Sequence, residues 1–424
     1  MLVRHFTLQA ADNAAPPASQ ETPWGMRLHP VAILLVALLL RLFVLWFVMA
    51  RMAPGWFFSH GIELGILADS LQAGHGLSSP FGGSTGPTAL LAPGYPACIA
   101  LLFRIFGSFT PAAAIAIMTM QLWFTLATVL LIMRIAQRCF GSRAANIGGA
   151  FWAVSLPLIW MPAIFWETCL STLLLLSMIG LALRFRGTTG LRVWGLMGAY
   201  VALASLVNPA LLLSLLAILG WAAWPSRKAF WHLPFALLML AAVFAPWPIR
   251  NARVLHAFIP LRSTVGFELW MGNRTAATGF LEESQFPSFN RFELQQYVAA
   301  GEAAYMANKT ALAAAYVRAH PGMFVTRSAV RCFRFWMGTG TQHGSLLFPL
   351  HAALTSVLGW FGMWRLLRER RWRLAALLIL PLIAFPLPYY ITHAEFRYRL
   401  VIDPLLTILA AHAVCGPQPR RVLA

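Results

Sequence analysis

Runs of about twenty apolar residues recur along the chain from residue 31 onward, broken by short polar stretches. Roughly 30 Å of hydrocarbon is crossed by about 20 such residues in a helix, so each run predicts a membrane span. The pattern predicts ten spans, at about 31–50, 111–133, 144–163, 168–185, 191–208, 209–225, 231–249, 345–364, 374–392 and 400–415. Two longer stretches stay out of the hydrocarbon: a polar one at 51–93, rich in Gly, Pro and Ser, and one at about 250–344. The segment PGYPACIALLFRIFG is short and broken by Pro93 and Pro96, which predicts an amphipathic helix lying on the membrane rather than crossing it. Within 250–344, NARVLHAFIPLRSTVGFELWMGN alternates in a strand-like way, and FELQQYVAAGEAAYMANKTALAAAYVRAHPGMF reads as helix ending at His320-Pro321.

Composition and charge orient this arrangement. Hydrophobic residues make up 59% of the chain and charged residues 11%, with a mean hydropathy of +0.69, which excludes an ordinary soluble domain. The net charge of +19 does not point to nucleic acid, because the basic residues sit in clusters at the ends of apolar runs. With the N-terminus in the cytoplasm, clusters at Arg134 to Arg143, Arg184 to Arg192, Arg227-Lys228 and Arg365 to Arg373 all fall inside, while the turns near 161–168 and 208–209 carry no Lys or Arg. The expected organisation is a cytoplasmic segment 1–29, a transmembrane module 30–249 with a first external loop at 51–110, an external region 250–344, closing transmembrane helices 345–415 and a cytoplasmic tail 416–424. The first 29 residues lack a signal-peptide pattern, so the first span is expected to act as an uncleaved insertion signal. Five cysteines without a paired spacing read as free thiols.

That topology gathers the scattered polar groups on one external face. On a helix from about Ile62 to Ala73, the residues Leu64, Leu67, Ala68 and Leu71 form an apolar stripe with Glu63 at its margin, and Asp69 lies about 120° around from Glu63. The two acids cannot act as a pair, so any partner of Glu63 comes from elsewhere in the chain. Glu167, in FWETCL at the outer end of a span, needs a partner or a wet cavity. His60 and Glu63 have the i, i+3 spacing of metal ligands but no third ligand nearby; no cofactor is assigned, and a divalent metal is compatible with the spacing. Arg250 in APWPIRN, and Arg397 and Arg399 before the last span, suit a phosphate because guanidinium binds it bidentately and stays charged in a dry site; lipid headgroups are the alternative ligand. Arg41, alone near the middle of the first span, reads either as a snorkelling or helix-paired arginine or as a contact to a phosphate or carboxylate. No nucleotide-binding device such as GxGxxG or a P-loop is present.

The ordered series GIELGILADSLQAGHG, GPTALLAPGYP, IFG, PWPIRN, PLRSTVGFELWMGN, HP before FW, and EFRYRLVIDPLL resembles bacterial glycosyltransferase family 39 and its GT-C relatives, the protein mannosyltransferases and aminoarabinose transferases, over most of residues 30–415. The resemblance implies an all-α polytopic membrane protein: a GT-C-like bundle of about ten transmembrane helices, interfacial helices in the first external loop and a mixed external loop domain. It further implies a polyprenyl-phosphate-linked sugar donor, inverting transfer to a lipid, glycan or protein acceptor, and a location in the bacterial plasma membrane among its lipids. By this matching Glu63 is the key acid, Glu167 a second catalytic candidate, and Arg250 and Arg397 donor-phosphate ligands. Arg399, Tyr95, Asp69 and His60 complete the substrate-binding candidates. Many relatives carry an Asp-Glu pair where this chain has Ile62-Glu63, and the aminoarabinose branch an acid-lysine pair where it has Ala92-Pro93-Gly94. A transporter of lipid-linked intermediates and a surface-glycan polymerase or ligase are the competing classes; clustering of polar residues at one face, without an internal repeat, favours the transferase.

Overall fold

The computed structural model describes residues 30–53, 55–59, 61–338 and 346–416. Among them the regular structure is helical, with a single isolated bridge between Ser78 and Pro87. Six helices are long and apolar enough to cross a membrane: Pro30–Arg51, Pro111–Phe140, Thr168–Phe185, Arg227–Leu255, Leu347–Arg368 and Trp372–Ile391. A seventh crossing is formed if Ser142–Val154 and Leu156–Ala163, bent by 63° at Ser155, count as one. The protein is therefore a multi-pass membrane protein. The remaining spans expected near 191–208, 209–225 and 400–415 correspond to the shorter apolar helices Leu191–Val207, Leu211–Ala223 and Asp403–Val414, so length alone does not carry the count to ten.

The bend at Ser155 explains the lone intramembrane arginine. Pro157 has no N–H to offer Ala153, and a break in a buried helix strands carbonyls that hydrocarbon cannot solvate. Arg41 supplies the missing donors: Nη1 donates to Ala153 O at 3.1 Å, and Nη2 to Trp152 O at 3.1 Å and Leu158 O at 3.3 Å. The helix-paired reading is the one the structure realises, and the guanidinium is fully buried in that role.

A second buried cluster ties the last helix into the bundle. Every nitrogen of Arg399 is engaged: Nε donates to Asp403 Oδ1 at 2.7 Å, Nη1 to Trp336 O, Ala352 O and Ser356 Oγ, and Nη2 to Thr355 Oγ1. Asp403 Oδ2 faces His351 Nε2 at 2.9 Å, and His351 Nδ1 hydrogen-bonds Ser155 Oγ at 2.8 Å, so the same network reaches the bend. Gly362 lets the Leu347–Arg368 and Asp403–Val414 helices touch, since a Cβ there would lie 2.0 Å from Leu409 O.

The basic clusters meet at one end of the bundle, where Arg371 donates to Cys139 O at 2.7 Å and Arg365 to Ala413 O at 3.1 Å. The polar loops meet at the other. There the segment expected to be strand-like is helical at both ends, Pro246–Leu255 and Val265–Gly272, with only the stretch between them extended or turning. Alternation over so few residues fits a helix margin as well as a strand, and Pro246 at the first turn extends the preceding span. The expected helix after it is split by Gly301, whose φ of 75° is unfavourable for other residues, into Arg291–Ala300 and Glu302–Ala319, and it ends before Pro321.

These helices enclose a small core of Leu90, Phe267, Met271, Tyr297, Tyr305 and Met306. Inside it Glu293 pairs with Lys309 at 2.7 Å, and Glu302 accepts from three donors: Thr88 Oγ1, Ala89 N at 2.7 Å and Tyr297 OH at 2.7 Å. The Glu302 carboxylate thus latches the GPTALL segment of the first loop to the second.

Two outcomes are expected. Asp403→Ala strands the buried Arg399 charge and should cost about 3–5 kcal/mol, read as a lower unfolding midpoint in detergent; an unshifted midpoint would refute the network's role. Glu302→Ala leaves three donors without an acceptor, at about 1–3 kcal/mol each, and should speed limited proteolysis within residues 74–93. Cleavage at the parental rate would mean the latch does not hold that loop.

Candidate active site

The first loop is organised by the helix Ile62–Gln72, which buries Leu64, Gly65, Leu67 and Ala68, the predicted stripe apart from a half-buried Leu71. Its start lies directly on the turn that precedes Glu167. A Cβ on Gly61 would stand 2.4 Å from Phe165 O, and one on Gly65 would stand 2.6 Å from Phe109 Cε1. Glu63 sits between these two glycines in the first helical turn, where the helix dipole favours a carboxylate. It is half-buried, and its Oε1 accepts a hydrogen bond from Ser288 Oγ at 2.6 Å. The partner anticipated from elsewhere in the chain is therefore a hydroxyl of the 250–344 region.

Glu167 stands at the N-cap position of Thr168–Phe185 without a side-chain capping bond and lines a narrow cleft together with Leu64, Leu91, Tyr95 and Arg262. The turn bearing it is held by Gln121, whose Nε2 donates to Ile164 O at 3.0 Å. Tyr95 is buried, and its hydroxyl has no hydrogen-bond partner among the described residues. Arg262 reaches the same cleft and donates from Nε to Leu90 O at 2.9 Å.

Arg397, on the short helix Phe396–Arg399, lies over the indole of Trp166, 4.4 Å from the ring centroid, and 5.1 Å from the Tyr398 ring. Its hydrogen bond is to Tyr398 OH at 3.4 Å, and no carboxylate among the described residues forms an ion pair with it. Burial alone would lower its pKa, but Tyr398, Glu395 and Glu167 outweigh burial and raise it. A guanidinium held on an aromatic face, with donors still available, has the chemistry to take an anion.

The structure brings Tyr95, Glu167 and Arg262 to one cleft, sets Arg397 on the neighbouring Trp166, and starts the helix of Glu63 against Phe165. It places the other candidates differently. Arg250 donates from Nη1 to Thr88 O at 2.7 Å and from Nη2 to Leu77 O at 2.8 Å, clamping the first loop from behind. Arg399 is the fully buried hub of the last helix. Asp69 accepts from Ser108 Oγ and from Gln72 Nε2 at 3.0 Å, tying its helix to the following turn. His60 lies outside the described residues.

Sequence reasoning passed over Ser288, Arg262, Glu268 and His393. The available signals were an acid inside the apolar helix GFELW and a histidine heading HAEFRYR. Burial would raise the Glu268 carboxyl, but His393, Arg262 and Arg397 outweigh it and hold its pKa below the usual range. Among the described residues no three His, Cys, Asp or Glu side chains converge as metal ligands.

No family model matches the sequence, and no curated protein matches it. Among solved structures, the fold resembles the archaeal oligosaccharyltransferase AglB from Archaeoglobus fulgidus, in complex with an inhibitory peptide and a dolichol-phosphate, with a TM-score of 0.51 and 12% identity over 92% of this chain and 50% of that one. The Archaeoglobus fulgidus oligosaccharyltransferase in complex with Zn and sulfate gives a TM-score of 0.50 and 14% identity over 90% and 48%. ArnT from Cupriavidus metallidurans bound to undecaprenyl phosphate gives 0.39 and 14% over 91% and 77%. The chain spans about half the length of the archaeal enzymes. At such identities the likeness is one of architecture, and the architecture of this chain is the GT-C fold.

Proposed function

We propose that this protein is an inverting glycosyltransferase that moves a sugar from a polyprenyl-phosphate donor to a hydroxyl of a lipid, glycan or protein acceptor. The reading is carried by Arg397, an arginine held on an indole without an ion pair among the described residues, at the polar end of a GT-C bundle whose first loop presents a half-buried carboxylate, Glu63. A solved relative in fold holds a dolichol-phosphate, the same class of lipid phosphate.

In the proposed reaction the second oxygen of Glu63 takes the proton of the acceptor hydroxyl, while Ser288 holds the first at 2.6 Å. The acceptor oxygen then bonds to the anomeric carbon as that carbon's bond to the phosphate oxygen breaks. The electron pair leaves with the polyprenyl phosphate, and a single displacement inverts the centre. Arg397 and Arg262 stabilise the charge gathering on the phosphate, and Glu167 orients the acceptor across the cleft. Arg250 and Glu302 act at a distance, by holding the loop that forms one wall.

The polar end is read as periplasmic and the basic end as cytoplasmic, by the positive-inside bias of Arg134 to Arg143, Arg184 to Arg192, Arg227-Lys228 and Arg365 to Arg373. The N-terminus then lies in the cytoplasm, and an excess of arginine over lysine fits the plasma membrane of a GC-rich bacterium.

The acceptor and sugar would be found by mass spectrometry of envelope glycans and lipids from a deletion strain. With that product as the assay, Glu63→Gln should lower turnover by about 10²–10⁴-fold while the protein still inserts and folds; near-normal turnover would remove Glu63 from the chemistry. Arg397→Ala should weaken donor binding by about thirtyfold or more, and an unchanged donor dependence would exclude it as a phosphate ligand.

A further inference from the structure

Behind Arg397 runs a chain of polar side chains from two elements distant in sequence. Arg397 Nη2 donates to Tyr398 OH at 3.4 Å. Tyr398 OH lies 2.8 Å from His393 Nε2, and His393 Nδ1 lies 3.0 Å from Glu268 Oε2. Glu268 belongs to the Val265–Gly272 helix, which is seated on the segment before His393. A Cβ on Gly272 would stand 1.7 Å from Thr392 O, and Asn273 Nδ2 donates to Ile391 O at 2.8 Å. The chain is thus anchored at its far end by backbone contact.

Glu268 and His393 are in close electrostatic contact rather than in a well-aligned hydrogen bond, since neither Glu268 Oε2 nor His393 Nδ1 has a hydrogen-bond partner among the described residues. His393 Nε2 and the Tyr398 hydroxyl share the next bond, in which either atom can donate, and the Tyr398 oxygen receives the N–H of Arg397. Tyr398 is itself fixed by its ring, stacked on Tyr389 with centroids 4.4 Å apart and planes 13° apart. The His393 side chain is 3% exposed, and Arg262 places a positive charge near Glu268.

We propose that Glu268, His393 and Tyr398 are positioning residues that set the plane of the Arg397 guanidinium on Trp166, so that its remaining donors face the lipid phosphate. The cation–π contact with Trp166 fixes the height of the guanidinium above the ring but leaves it free to rotate. The directed hydrogen bond to Tyr398 removes that freedom. This inference rests on the reading of Arg397 as a donor-phosphate ligand.

The test is the binding of undecaprenyl phosphate by the full chain in nanodiscs, for Tyr398→Phe, His393→Ala and His393→Gln, each alone and combined with Arg397→Ala. Tyr398→Phe keeps the ring and its stack and removes only the linking hydroxyl. It should weaken binding about threefold to tenfold, the scale of one ordinary hydrogen bond, and add nothing once Arg397 is alanine. His393→Gln, which offers an amide donor and a carbonyl acceptor, should bind more tightly than His393→Ala. Wild-type affinity in Tyr398→Phe, or effects that multiply with that of Arg397→Ala, would overturn the positioning role. If Arg397→Ala alone binds as wild type, the phosphate reading itself falls, and the chain behind it with it.

Discussion

A charge or a bare backbone group inside hydrocarbon has to be matched by another protein group, and this requirement shapes the whole molecule. Arginine meets it well, because five N–H donors on a planar head can satisfy several carbonyls together. Arg41 does so for the bend at Ser155, and Arg399 does so for the junction of the last helix with Leu347–Arg368. Arg250 applies the same chemistry to the carbonyls of Leu77 and Thr88 in the first loop. Against this background Arg397 stands out, since an aromatic face and one phenol oxygen are its neighbours and its donors are not consumed by carboxylates.

The polar end works as a junction of three loops, each held by a different device. Two glycines bring the Ile62–Gln72 helix onto Phe165 and so carry Glu63 towards the turn of Glu167. The Glu302 carboxylate draws in the GPTALL segment through Thr88 and Ala89 while Tyr297 holds it from its own side. Gly272 and Asn273 seat the Val265–Gly272 helix on the segment that leads to Arg397. None of these contacts is made by the side chains of Glu63, Glu167 or Arg397.

Much of this was legible in the sequence because periodicity and charge report on solvent. The apolar runs located the six long apolar helices, the basic clusters marked one end of the bundle, and the stripe Leu64, Leu67 and Ala68 is on the face that the Ile62–Gln72 helix buries. The alternation at residues 250–272 misled, since a few alternating residues describe a helix margin and a strand equally well and the outcome was decided by neighbouring helices.

The tertiary structure alone decided which charges are structural. Arg397 and Arg399 lie about half a turn apart on a short helix and read alike in sequence, yet one faces an indole and the other is sealed between helices. Ser288, Glu302 and Glu268 could not be chosen in advance, because what gives them roles is contact with residues roughly a hundred or more positions away. A sequence records the hydrophobicity of each position, which sets where it sits relative to the membrane. The partner of a polar group is set by how helices pack, and that is a property of the assembled bundle.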